Sequence, residues 1–436
     1  MKKTGIILFR NDLRLSDNAT LTAACAEVDR LICIYCREPV SASSALHGPQ
    51  KLSDHRERFL FESLTALDQE LKGFGQHLLV VNRPMVDTIA ELITQYDVTH
   101  VYSSVNAGWF ENHQWSVLRS RYSSITFHQQ HTHTLFDPHE LPFEIEDLPS
   151  SFSKFRRVVE KNIRVSPITD NVTKMPPSPI ANREHYQASL YDKLTTPLFI
   201  GGEKAGRHHV ETYFDSDLPS TYKNTRNGLE GMDYSTKFSP WLSNGSLSAK
   251  TIVSKLIEYE TLKVANESTY WIYFELLWRE YFQWYAHHHG NTVFRFKGLR
   301  PKIPNTSFYA ERYQKWCQGN TPFALVNAFM KQLVATGYMS NRGRQLVASC
   351  FVHELNLDWR YGARFMEQHL IDFDVASNWA NWQYLAGVGA DPRGHRQFDL
   401  KKQAAMHDSK GEFTSKWQGS PMTISLDSVD VADWPL

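Results

Sequence analysis

Over the first 130 residues, short apolar runs alternate with longer amphipathic ones, and this alternation constrains the fold more than any other feature. Ile6–Phe9, Leu31–Tyr35, His77–Val81, His100–Ser103 and Ile125–His128 read as strands. Asp17–Val28, Ser53–Lys72, Met85–Tyr96 and Phe110–Arg121 between them read as helices. Such a βαβ series predicts an α/β domain over 1–130 with a parallel sheet covered on both faces. No G-x-G-x-x-G follows the first strand, so the domain is Rossmann-like in topology only. From 131 to 197 proline and mixed charge take over (Pro138, Pro142, Pro149, Pro167, Pro176, Pro177, Pro179), predicting a long linker with one helix at Phe152–Asn162. Helical periodicity then runs from 198 to 417, predicting an all-α domain. The acidic, aperiodic stretch 418–436 reads as a loose tail.

With 47 basic and 47 acidic residues, nucleic-acid binding would have to come from a local patch rather than a global field. Five cysteines, an odd number without regular spacing, point to a reducing compartment and predict a cytoplasmic protein. Cys33 and Cys36 form a C-x-x-C on an apolar strand, which predicts core packing rather than redox chemistry. The apolar run Gly5–Phe9 is too short for a signal peptide and meets Arg10-Asn11-Asp12 at once. No segment approaches membrane-spanning length. His128, His131 and His133 form one histidine run and His287–His289 another. Neither has a nearby carboxylate or cysteine pattern, so no metal site is predicted.

Three runs carry chemistry. Asn341, Arg344 and Gln345 fall at i, i+3 and i+4 of a predicted helix and share one face. Asp372 and Asp374 follow in an apolar run, and buried carboxylates need a cation or several donors. Arg344 is the available fork-shaped partner, so the site suits a large polar heteroaromatic ring held in one orientation. Further upstream, Tyr222 and Arg226-Asn227-Gly228 lead into Ser235-Thr236-Lys237-Phe238-Ser239-Pro240, where hydroxyls and backbone N–H groups could meet a phosphate or merely cap a helix. Trp271, Glu275, Trp278 and Phe282 share a helix face, and a carboxylate within an aromatic stripe calls for a cavity with a polar ligand.

Taken together, these runs resemble the photolyase/cryptochrome family. They are most similar to its DASH cryptochromes, through Thr225–Gly228, Ser235–Leu242, Asn341-Arg-Gly-Arg-Gln345 and Tyr384, where many photolyases carry Trp. The resemblance spans about 1–417 and implies FAD as cofactor, with a lyase activity splitting cyclobutane pyrimidine dimers in single-stranded DNA under blue light. It implies that Tyr222, Ser235, Thr236, Lys237 (mainly through its backbone), Phe238 and Ser239 hold the cofactor's pyrophosphate end. Trp271 and Arg279 would lie near the flavin, Arg344 and Asp372 would pair beside its ring, and Asp374 and Asn378 would face its edge. Glu275 and Trp278 would sit at the mouth of the dimer pocket, lined further by Asn341, Gln345 and Tyr384. Trp382 and Trp359 would begin an electron-transfer chain. Arg342, Arg393, Arg396, Lys401 and Lys402, with Lys154, Arg156 and Arg157 on the linker helix, would form a cationic rim for a single strand with one flipped base.

Three departures from the family pattern stand out. Thr306 occupies the place of the chain's third Trp, so an aromatic such as Tyr309 or Tyr313 would have to substitute. Asn327 replaces the usual Asp in the run 321–330. Asn106 replaces the Glu that meets a folate antenna in related proteins, which argues against folate; another antenna, or none, fits equally well. A second reading follows from the first two departures: a monomeric blue-light or redox sensor that signals to a protein partner without efficient repair.

Overall fold

The computed structural model describes residues 2–37, 51–180, 197–390, 396–422 and 425–427. Five strands, β1 (Thr4–Phe9), β2 (Arg30–Cys36), β3 (Leu78–Val81), β4 (His100–Ser104) and β5 (Thr126–Gln130), pair in the order β3-β2-β1-β4-β5. Every pairing is parallel, with Ile6 opposite both Ile32 and Val101. Helices α1 (Ala19–Glu27), α2 (Asp54–Lys72), α3 (Met85–Gln95) and α4 (Trp109–Arg121) make the crossovers. Two apolar clusters form on opposite faces of the sheet. One gathers Ile7, Phe9 and Cys33 with Leu21 and Leu64; the other gathers Ile6, Leu8 and Ile34 with Ile89 and Leu118. This is the period-two division expected of a sheet covered on both sides. Three positions apart on one strand, Cys33 and Cys36 point to opposite faces, and burial pushes the Cys33 thiol well above its usual range. Core packing explains both.

After α5 (Phe152–Asn162) the described chain is helical: α6 (Glu203–Asp215), α7 (Leu218–Thr225), α8 (Ser239–Ser243), α9 (Ala249–Leu262), α10 (Glu267–His289) and α11 (Ala310–Cys317). There follow α12 (Ala324–Thr336), α13 (Asn341–Ser349), α14 (Trp359–His369), α15 (Val375–Leu385), α16 (Leu400–His407) and α17 (Glu412–Lys416). The central helix is α10, capped by Asn266, whose side chain accepts from Ser268 and Thr269 N–H. It packs on α7, α9 and α15. The helical core also takes in Phe59 of α2, edge-on to Trp241 at 6.2 Å, so the two halves share apolar surface. No helix among the described residues is long and apolar enough to cross a membrane.

Within 418–436, the described residues are held by specific bonds. Met422 N donates to Thr321 O at 2.9 Å, and Arg312 Nε donates to Asp427 at 2.8 Å. Asn327 explains part of this arrangement. Its Oδ1 accepts from Thr321 N and Oγ1, while its Nδ2 donates to Thr321 O and Ser420 O, all at 2.7–2.9 Å. A carboxylate could accept the first two but could not donate the last two.

Candidate cofactor and nucleobase site

A cavity of about 730 Å³, in the range of cofactor sites, opens between α10, α13, α15 and the turn before α8. One wall is built from the aromatic face of α10: Trp271, Glu275, Trp278 and Phe282 all line the space, as the spacing requires. Asn341, Arg344 and Gln345 line it from α13, where Ser340 caps the helix by accepting from Gly343 N. Asp372, Asp374, Asn378, Trp382 and Tyr384 close the opposite side, and Tyr222, Ser235, Thr236, Lys237, Phe238 and Ser239 line one end. The residues expected to hold a ligand thus converge from segments as far apart as Tyr222 and Tyr384.

The ionic core of the site is Arg344 with Asp372. Arg344 Nη2 donates to both carboxylate oxygens at 2.7 and 3.0 Å, and the Asp372 side chain is only 1% exposed. Burial opposes the charge on Arg344, yet Asp372 and Tyr338 together outweigh it and hold the guanidinium above its ordinary value. Arg344 Nε also donates to Met339 O, which fixes the fork.

Ser235 and Lys237 both have left-handed backbone, with φ of +65° and +55°. Two such non-glycine residues within three positions carry strain that the surrounding fold must impose. Lys237 is 5% exposed, and its ammonium donates to Ser235 Oγ at 3.1 Å. Burial, aided by the nearby Arg344, lowers its amine to about 8. A buried ammonium that lies 5.2 Å over the Tyr338 ring and donates to a hydroxyl in a strained, hydroxyl-rich turn fits an anionic group such as a pyrophosphate.

Other predicted residues are occupied by protein. Asp374 caps α15, accepting from Ser377 N at 2.7 Å, and receives Gln283 Nε2 at 2.9 and 3.0 Å. Asn378 Nδ2 donates to Ala363 O at 2.9 Å, so its free amide end is the acceptor Oδ1. Arg279 lines the cavity while donating to His133 O at 2.5 Å and Leu242 O at 3.4 Å. Its guanidinium therefore works as a backbone anchor.

At the mouth, Glu275 forms an ion pair with Arg226. Burial raises the Glu275 carboxyl above the usual carboxylate range, with Arg226 pulling the other way. Sequence reasoning quoted Arg226 but gave it no role. Its guanidinium lies 4.3 Å over the Trp271 ring, so Trp271 supports the mouth as well as lining the cavity. A further residue missed was Phe152, whose ring stacks on Trp278 at 3.7 Å and brings α5 to the rim. Arg342 donates to Gln345 Oε1 at 3.0 Å and to Asn227 Oδ1 at 3.1 Å, and Arg396 lies 4.4 Å over Tyr384. Lys401 and Lys402 are exposed, Arg156 donates to Tyr270 Oη on α10 and Lys154 to Ser150 Oγ; Arg393 lies outside the described residues.

Trp382 leaves the cavity wall toward the interior. Its ring partners are Phe351 at 5.5 Å and Trp316 at 6.3 Å. Trp359 is fully buried, donates to Phe296 O at 2.9 Å and meets Trp379 edge-on at 5.8 Å. Toward the surface from Phe351 come Tyr313 at 6.3 Å, then Tyr361 and Phe308. Of the two substitutes considered for Thr306, Tyr313 belongs to this aromatic succession, whereas Tyr309 lies under the Arg312 guanidinium. Asn106, at the antenna position, is buried, and its Oδ1 accepts from Gly108 N at 2.8 Å.

The chain is similar in sequence and fold to known proteins. Residues 5–178 match the family described as DNA photolyase, and residues 271–424 match the FAD binding domain of DNA photolyase. The chain is 50% identical to a cryptochrome DASH of Idiomarina loihiensis, over 100% of this chain and 97% of that protein. It is 48% identical to a cryptochrome DASH of Vibrio parahaemolyticus, over 100% and 98%. The solved structure of a Synechocystis cryptochrome superposes with a TM-score of 0.89 at 36% identity, covering 95% of this chain and 88% of that one.

Proposed function

The chain belongs to the DASH cryptochromes of the photolyase/cryptochrome family and carries that family's FAD-binding domain, and from that premise we propose that it splits cyclobutane pyrimidine dimers in single-stranded DNA under blue light. The observation carrying this reading is the convergence of Glu275, Trp278, Asn341, Gln345 and Tyr384 on one cavity together with the Arg344–Asp372 pair. When bound, FAD supplies the photoexcited electron that opens the cyclobutane ring.

The protein's part is binding, orientation and charge. Lys237, Ser235, Thr236 and Ser239 would hold the pyrophosphate, Tyr222 and Phe238 packing behind them, while Arg344 with Asp372 would orient the ring. Asn378, its Nδ2 committed to Ala363, offers an acceptor to a ring N–H. Glu275, its carboxyl raised by burial and tempered by Arg226, can either donate to a base carbonyl or accept from a base N–H. Trp278, one face covered by Phe152, offers apolar surface to a flipped base. Arg342, Arg396, Lys401 and Lys402 supply the phosphate-facing charge that a flexible single strand can follow.

Asn106 supports the absence of a folate antenna, since its acceptor already serves Gly108. The sensor reading rests on Thr306 alone, because Asn327 is accounted for by its four hydrogen bonds. Replacing Glu275 with Ala tests the repair reading: dimer repair should fall at least tenfold with FAD still bound. Unchanged repair would remove Glu275 from the mechanism.

A further inference from the structure

The two histidine runs meet in space. His131 and His133 lie just after β5, and His287 lies in the last turn of α10. One ligand-capable nitrogen from each lies within 4.8 Å of the other two. The ring centroids are 6.0 Å apart for His131 and His133, 5.5 Å for His131 and His287, and 5.7 Å for His133 and His287. His131 Nδ1, His133 Nε2 and His287 Nε2 are buried with no hydrogen-bond partner among the described residues. Buried polar nitrogens without a partner are costly, so three at one place call for a shared partner.

We propose that His131, His133 and His287 form a three-nitrogen site for a divalent transition-metal ion of the Zn²⁺ class. Three imidazoles leave a fourth tetrahedral position for water, and the half-buried His131 provides the entry side. At metal–nitrogen distances of about 2.0–2.1 Å the nitrogens would stand about 3.4 Å apart, so the rings need to close by roughly 1.4 Å at most.

The surroundings favour this class of ion. Trp284 walls the site, its ring 5.4 Å from His131 and 5.5 Å from His287. The C-terminal end of the 23-residue α10 favours a cation. Arg14 and Arg279 lie close enough to His133 to oppose positive charge, and the set contains no oxygen ligand. The lack of an oxygen ligand disfavours Mg²⁺ or Ca²⁺ and leaves an ion held by nitrogen coordination, whereas the two guanidiniums oppose any divalent cation alike. The framework is already pinned. Arg279 donates to His133 O at 2.5 Å, and the Glu280 carboxylate accepts from Leu135 N at 2.8 Å, Phe136 N at 3.3 Å and Trp284 Nε1 at 2.7 Å. The ion would clamp the exit of the sheet to the end of the helix that carries Glu275 and Trp278.

The test uses the tag-free, FAD-loaded full chain, stripped with EDTA, desalted and titrated with ZnCl₂ against a chromophoric chelator. One equivalent should bind, and His131→Ala and His287→Gln should each weaken binding about 10–100-fold. The exposed His208→Ala should leave it unchanged. Flavin absorbance and circular dichroism report whether each variant folds. X-ray absorption on the wild-type zinc complex, which needs no variant, should show nitrogen or oxygen neighbours only, at about 2.0–2.1 Å. Binding well below one equivalent, binding unaffected by both folded variants, or a sulfur-containing shell would each overturn the proposal.

Discussion

Arg226 and Glu275, 49 residues apart, form an ion pair at the mouth of the cavity, and the same guanidinium lies 4.3 Å over Trp271. The Arg226 guanidinium opposes the upward shift that burial imposes on the Glu275 carboxyl. Arg226→Ala should therefore raise the Glu275 carboxyl further, because the desolvation that already raises it would go unopposed. The acidic limb of the pH–repair profile should move to higher pH, and in Arg226→Ala/Glu275→Gln it should disappear. A profile that is the same with and without Arg226 would separate the pair from function.

Lys237 sets a second pH dependence. In the unfolded chain its amine has the ordinary value of 10.5, and in the folded chain burial lowers it to about 8. Between these values the unfolded chain holds a proton that the folded chain has released, so this group makes stability rise with pH across that window. Affinity for an anionic ligand should move the other way, weakening as pH passes upward through 8. Fluorescence titration of released FAD checks this, and Lys237→Met should be weaker throughout and lack the dependence.

Asp372→Ala would leave the partly buried Arg344 guanidinium without its buried carboxylate. Removing one partner of such a pair costs about 3–5 kcal/mol, so the melting temperature should drop and flavin content should fall together. Near-normal stability would mean that water enters and solvates Arg344.

Gly362 is fixed by Trp382: a Cβ there would lie 2.2 Å from the Trp382 ring. Gly362→Ala should displace that ring, costing about 1–3 kcal/mol and slowing photoreduction of bound flavin. Transient absorption and thermal melting together check the two halves of this expectation. Loss of stability with unchanged photoreduction would remove Trp382 from the electron path.

Asn327→Asp would remove the donors to Thr321 O and Ser420 O and bury a charge. Destabilisation of about 2–4 kcal/mol, read as a lower urea midpoint, should come without change in repair yield per folded molecule.

Much of this was legible in the residue order. The strands β1 to β5 and the crossovers follow from apolar period, because a parallel sheet buried on both faces has little freedom in its sequence. The faces of α10 and α13 that line the cavity follow from helical spacing alone. What could not be read were partnerships across long separations. Nothing local to Glu275 announces Arg226, nothing near Trp278 announces Phe152, and His287 gives no sign of His131 and His133. The family resemblance places Asp374 and Arg279 near the flavin and both line the cavity, but the sequence gives no sign that their side chains also bond a helix N-terminus, Gln283 and backbone carbonyls. Such commitments are set by tertiary packing, which periodicity does not encode.

The central claim is tested most directly by repair of a dimer-containing single-stranded oligonucleotide under blue light, with the bound flavin chemically reduced beforehand. Supplying the reducing electrons this way removes Thr306 and the aromatic succession behind Trp382 from the outcome, leaving the cavity mouth as the variable. The account predicts restored pyrimidines in the light, none in the dark, and a large loss in Glu275→Ala. No repair by a protein that demonstrably holds reduced flavin would contradict it and favour the sensor.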